Sequence, residues 1–246
     1  MHERLVPSKV LRRSARGPRV GLWVVIVAVC LGAATSACAE TERAVTEPVR
    51  LPAPEHEGPP LETVIRQRRS VRSFEGALTL GEVSQLLFAA QGVTDSIGRR
   101  SLHAAPSAGA TYPFTVYAVA NHVEGLDAGV YRYRPNAHAL EPVHAGSVGS
   151  ALRAAALGQQ WVETAGLVVA LVADYARTTG RYGERGRRYV HMEAGHISQN
   201  LYLQAVALGL GSVAVGAFDD DRAARVLGIE SPRVLLYLHP VGRPAP

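Results

Sequence analysis

The sequence predicts an α/β or α+β domain over residues 61–246, and three observations carry that prediction. Helical and strand patterns alternate from Leu61 onward without internal repeats or low-complexity tracts, the pattern of helices packed on a sheet. The run Leu167-Val168-Val169-Ala170-Leu171-Val172 is apolar at every position, so both its faces are buried and it belongs at the centre of a sheet. Val190, Ala194, Ile197, Leu201, Ala205 and Leu208 recur at helical spacing, which predicts a helix from about Glu184 to Leu208, the spine of the domain.

In chain order, Leu61, Val64 and Ile65 supply the apolar face of a short first helix. Thr79-x-x-Glu82 is a capping box before the apolar positions Val83, Leu86, Leu87 and Ala90, which predicts a helix to about Gln91. Thr115 to Ala120, Gly129 to Tyr133, Leu167 to Ala173 and Val234 to Val241 are rich enough in β-branched and aliphatic residues to be strands. Gly209 stops the long helix, whose other faces carry Ala, Gly195 and Leu203 among polar groups and leave a second surface for a neighbour or a partner subunit. Ser212 to Gly216 reads as a short strand or extended loop, and Asp219, Asp220 or Asp221 caps a last helix ended by Gly228.

The chain has 246 residues, enough for one good-sized core. Its net charge of +5 is local: residues 1–37 hold six of the 26 basic side chains and one of the 21 acidic ones, which leaves twenty of each. A neutral remainder removes the main support for nucleic-acid binding. The basic stretch precedes the apolar run Leu22 to Val29 and then small residues up to Cys38, the order of an export signal over residues 1–38. Thr35-Ser36-Ala37-Cys38 resembles a bacterial lipoprotein box, which predicts a lipid anchor and a domain facing the periplasm or cell exterior. Cleavage at Ala37-Cys38-Ala39 and an uncleaved anchor helix are the alternatives. Residues 39–60, rich in Glu, Pro and Thr, read as a solvated tether. Cys30 and Cys38 are the only cysteines, so the domain holds no disulfide framework, catalytic thiol or thiolate metal site.

Four motifs are set aside on physical grounds. Gly209-Leu210-Gly211-Ser212-Val213-Ala214 fits a dinucleotide-binding string, but a helix precedes it and a strand follows, the reverse of a Rossmann order. Glu193-x-x-His196 copies half of a di-iron ligand set and has no second copy. His191 and His196 lie about 140° apart around a helix and do not share one metal. Ser107 lacks a nucleophile-elbow pattern.

Two segments carry the chemistry. Arg68, Arg69, Ser70 and Arg72 place three guanidiniums and a hydroxyl within five positions, enough to surround one phosphomonoester; ending a helix with cations is the structural alternative. Pro106-Ser107-Ala108-Gly109 has little side chain to pack and lets a backbone approach something flat. Together with GVYRY at 129–133, the stretch 181–220 and HPVGRP at 239–244, these segments resemble the nitroreductase family of flavoproteins, and in particular its SagB-type branch, which includes azoline dehydrogenases. The resemblance runs from about Glu62 to Pro244.

That resemblance implies an α+β homodimer with FMN at the subunit interface and hydride transfer between a small organic substrate and flavin N5. Arg68, Arg69, Ser70 and Arg72 would hold the phosphate and ribityl chain, with Arg243 a further anion ligand. Pro106, Ser107, Ala108 and Gly109 would approach the flavin from the other subunit, and the backbone at Val215, Gly216 and Ala217 would face the isoalloxazine edge. Arg181 and Tyr182 stand where azoline dehydrogenases carry a Lys-Tyr pair. Arginine stays protonated, so a proton would be donated or relayed by Tyr182. The rival activities are a nitro- or quinone-reducing enzyme driven by NAD(P)H and an inert flavin- or partner-binding lipoprotein.

Overall fold

The computed structural model describes residues 47–246; the predicted export signal and the first part of the tether lie outside them. Among the described residues no helix is long and apolar enough to cross a membrane. The elements are β1 (Val49–Arg50), α1 (Leu61–Gln67), β2 (Phe74–Glu75), α2 (Leu80–Gln91), β3 (Val93–Ile97), β4 (Arg100–His103), β5 (Phe114–Ala120), β6 (Gly129–Arg134) and β7 (Ala139–Ala145). They continue with α3 (Gly149–Ala155), α4 (Trp161–Thr164), β8 (Leu167–Ala173), α5 (Tyr175–Tyr182), α6 (Arg185–Ala207), β9 (Gly211–Ser212), α7 (Asp220–Val226) and β10 (Val234–Pro244).

The main sheet runs β1-β7-β6-β5-β8-β10-β2, with β9 paired to β10. Every pairing in it is antiparallel, which settles the class as α+β. Strand alternation divides its side chains between two cores. Leu167, Val169 and Leu171 of β8 face one side with Leu86 and Leu87 of α2 and Val190, Ile197 and Leu201 of α6. Val168, Ala170 and Val172 face the other with Leu152 of α3, Val162 of α4 and Ala223 of α7. β8 is buried along its whole length between two helical layers, as its unbroken apolar run requires.

Local chemistry sets the ends. Thr79 Oγ1 accepts from Glu82 N at 3.2 Å and Glu82 Oε2 accepts from Thr79 N at 2.7 Å, the reciprocal pair of a capping box. Asp219 accepts from Arg222 N at 2.9 Å and caps α7. Gly209, with φ of +70°, ends the turn after α6.

The tether reading is corrected for its second half. Val49 and Arg50 pair with Leu140 and Ala139 as an edge strand, and Leu51 is buried. Pro52 O accepts from Ser84 Oγ at 2.6 Å. One buried leucine and a short ladder were too local a signal to stand out from a Pro- and Glu-rich background.

Candidate functional site

After α1 the chain leaves helical geometry at Arg68 and runs extended beside β9. Ser70 bridges Ser212 in parallel, and Val71 N donates to Ser212 O at 2.9 Å. A Cβ on Gly211 would lie 2.7 Å from Val71 Cβ, so glycine there admits the close approach. Tyr202 of α6 ties the segment down: its hydroxyl accepts from Ala214 N at 2.8 Å and hydrogen-bonds Ser70 Oγ at 3.0 Å. The Arg68 guanidinium sits 5.1 Å over the Tyr202 ring and that of Arg72 lies 5.9 Å over Trp161, while Arg69 Nε donates to Gln67 O. None of these three guanidiniums has a carboxylate partner among the described residues. These guanidiniums form a cationic group unneutralised among the described residues, one of them also capping the end of α1 through Gln67 O.

The segment after β9 completes this group, with two corrections. Gly216 and Ala217 are exposed, whereas Val215 is buried and exchanges both backbone hydrogen bonds with Leu238 at 2.8 and 3.0 Å. Its N–H is consumed by the sheet, so only Gly216 and Ala217 remain as donors toward a ligand. Arg243 is also committed: Nη2 contacts both Glu82 carboxylate oxygens at 3.0 and 3.1 Å, and Nε donates to Ala77 O. It ties β10 to the capping box of α2 rather than offering a free charge.

A second group forms around α5 and the first half of α6. Gly109 sits at φ of +59°, and a Cβ there would lie 2.5 Å from Tyr182 Oη and 2.9 Å from Arg181 Cζ. Arg181 Nη1 donates to Gly109 O at 3.1 Å, and its guanidinium lies 5.4 Å from the Tyr182 ring. Arg181 thus braces the 106–109 loop, while Pro106 and Gly109 are exposed. Ser107 turns inward, its Oγ accepting from Tyr112 N at 2.9 Å.

Beneath that loop Glu193 is buried. Burial pushes its carboxyl up to about 7, against the opposing pull of the Ser107 and Gln91 side chains and of Arg177. His239, in mid-sheet against the Tyr202 ring at 4.8 Å, is driven down to about 3 by burial and is neutral.

No hydrogen bond or ion pair among the described residues joins the two groups. His196, whose Nδ1 lies 3.4 Å from Pro106 O, and Tyr202 are separated by about 9 Å of rise along α6. The residues of the first group fit a flavin phosphate and ring edge: unpaired guanidiniums, exposed small-residue backbone, and a buried Ser212 Oγ without a partner. The places of Tyr202, Trp161 and Gln91 and the burial of Glu193 were not anticipated. The Arg-rich 68–72 run pointed to a ligand, but nothing in one sequence says which distant aromatic will hold it.

A protein-family model described as the nitroreductase family matches residues 65–243. A protein of Methanocaldococcus jannaschii named as a candidate nitroreductase, MJ1384, is 48% identical over 184 residues, 74% of this chain and 90% of that protein. The microcin B17-processing protein McbC of Escherichia coli is 32% identical over 138 residues, 52% of this chain and 49% of its own length. The crystal structure of a candidate nitroreductase from Anabaena variabilis superposes with a TM-score of 0.71 at 31% identity, covering 81% of this chain and 42% of that one.

Proposed function

Because the chain belongs to the nitroreductase family, we propose that it is an FMN-dependent oxidoreductase working as a homodimer, a dehydrogenase of the SagB type. The observation that supports this reading is a cluster of guanidiniums without carboxylate partners among the described residues next to an exposed backbone edge, with a braced small-residue loop and a phenol elsewhere in the same chain. Two copies of the chain would bring the two halves together. The resemblance of the 68–74, 103–114 and 181–220 stretches to SagB-type dehydrogenases, beside the likeness to the microcin-processing protein McbC, supports an organic substrate oxidised by the enzyme.

FMN, when bound, supplies two-electron hydride chemistry. The protein's residues do the rest. Arg68, Arg69 and Arg72 would hold the phosphate dianion through charge-assisted hydrogen bonds, beside Ser70, which Tyr202 positions. The exposed Gly216 and Ala217 backbone would supply hydrogen-bond donors to the ring edge. The 106–109 loop excludes water from the opposite side, and Tyr182, beside Gly109, donates or relays a proton at the substrate. Arg181 remains cationic and orients the loop.

The basic and apolar stretches before Cys38 support an exported, membrane-anchored setting. NAD(P)H is not expected there, so the substrate itself is the electron source, with oxygen, a quinone or a membrane partner as acceptor. The test is an absorbance spectrum of the purified protein, identification of the released chromophore and anaerobic titration with NADPH. Bound FMN that stays oxidised with NADPH supports substrate dehydrogenation, and FMN that bleaches rapidly assigns a reductase instead. A folded dimer that cannot be loaded with FMN overturns the proposal.

A further inference from the structure

A cavity of about 930 Å³ opens beside the 109–112 loop. It lies between the β3–β4 hairpin, the end of β6 and the exposed face of α5, and no carboxylate is among its lining residues. Arg100, Arg177 and Arg181 line it without a carboxylate partner among the described residues. Arg132 and Arg134 also reach it and share one acid, Glu141, at 2.7 and 3.4 Å, so one positive charge is left over there as well. Five guanidiniums against one carboxylate around a single concavity is an arrangement that self-repulsion disfavours unless an anion is received there.

Gln91, 2% exposed, contributes to the floor of the cavity, its side chain engaged with the buried Glu193 carboxyl. Two contacts order the walls: Ser101 Oγ donates to Asn136 Oδ1 at 3.1 Å, and His103 stacks on Tyr112 at 4.1 Å.

We infer that this cavity holds the anionic end of the enzyme's substrate, an organic carboxylate or phosphate. The inference rests on the oxidoreductase reading for the word substrate, and on the cavity alone for the anion. Because Gly109 and Arg181 form part of the wall, a molecule anchored here by Arg100 and Arg177 projects its other end toward Tyr182, where the proposed proton transfer occurs.

The test is calorimetric titration of the full FMN-saturated chain with succinate, with inorganic phosphate, and with neutral succinamide. FMN saturation fills the phosphate clamp first, so that phosphate reports only on the cavity. Saturable succinate binding is expected, weakened by added salt and weakened about tenfold by either Arg100→Gln or Arg177→Gln. Arg225→Gln on α7 should leave it unchanged, and the melting temperature and FMN absorbance of each variant verify folding. Tighter binding of phosphate than succinate supports the site and assigns phosphate esters. No saturable anion binding, equal binding of succinamide, or binding indifferent to both substitutions overturns the inference while FMN uptake leaves the flavin reading intact. Succinate binding by a chain that takes up no FMN would do the reverse.

Discussion

Tyr202 contributes one oxygen atom that serves two segments, and its removal is a clean probe of the clamp. In Tyr202→Phe the Ala214 N–H loses its acceptor and Ser70 Oγ loses its partner. The ring, and with it the support under Arg68 and beside His239, is retained. We expect a stability loss of about 1–2 kcal/mol in urea unfolding and weaker FMN binding by roughly tenfold in a fluorescence titration. Loss of stability with unchanged FMN affinity would make Tyr202 a strut and nothing more. Glu193 has a different signature. Its folded pKa of about 7 lies above that of an unfolded glutamate, near 4.3, so the folded state binds the proton more tightly. The stability it confers is complete below about pH 4 and is lost as pH rises through 7. Between pH 5 and pH 8 this amounts to on the order of 2 kcal/mol, and Glu193→Gln should flatten that slope in urea unfolding at the two pH values. His239 works in the opposite window: its pKa is depressed, so its contribution is present above about 6.5 and fades as pH falls. An unaltered slope in Glu193→Gln would mean that the carboxylate is ionised in the folded protein throughout.

At the scale of elements, legibility followed the strength of periodicity. β8 and α6 were readable almost to the residue, because a buried strand and a long amphipathic helix leave patterns that tertiary context reinforces. β7 went unread since Glu141, Pro142 and His144 interrupt its apolar pattern; a bulge opposite Val130 and Tyr131 accommodates that stretch. The β3–β4 hairpin went unread because both its faces are largely exposed and polar, so no alternation is imposed on it. The 106–109 loop was legible from composition, and its reason is steric. Gly109→Ala places a Cβ into Tyr182 and Arg181 at positive φ, whereas Gly98→Ala in the β3–β4 turn, at φ of +61°, meets nothing within 4 Å. Both should lose about 1–2 kcal/mol from the left-handed backbone. Only Gly109→Ala should also cut turnover, by about tenfold or more, through displacement of the loop. Equal turnover in the two variants would remove the loop from the site.

For the whole molecule, the residues of the candidate site were more legible than their arrangement. The arginines at 68–72 and the small residues at 106–109 stand out because their composition serves no core. That Val215 and Arg243 are consumed by the sheet and by Glu82 follows from register and capping geometry, which no single-sequence pattern encodes. The separation of the two groups within one chain has a consequence that can be measured without knowing the physiological substrate. In the proposed two-fold dimer each complete site would take the clamp from one protomer and the loop from its partner. A variant carrying Arg68→Gln and Arg72→Gln, and another carrying Gly109→Ala, should each be nearly inactive alone. Mixed in equal amounts and allowed to exchange subunits, half of the dimers are hybrid, and each hybrid has one site built only from intact halves. Turnover, measured with whichever donor reduces the bound FMN, should therefore recover to about a quarter of the wild-type value. If clamp and loop of the same protomer serve one site, every site in the mixture carries a lesion and no recovery occurs. A quarter of the activity returning on mixing would therefore establish the dimer and the division of the site in a single experiment.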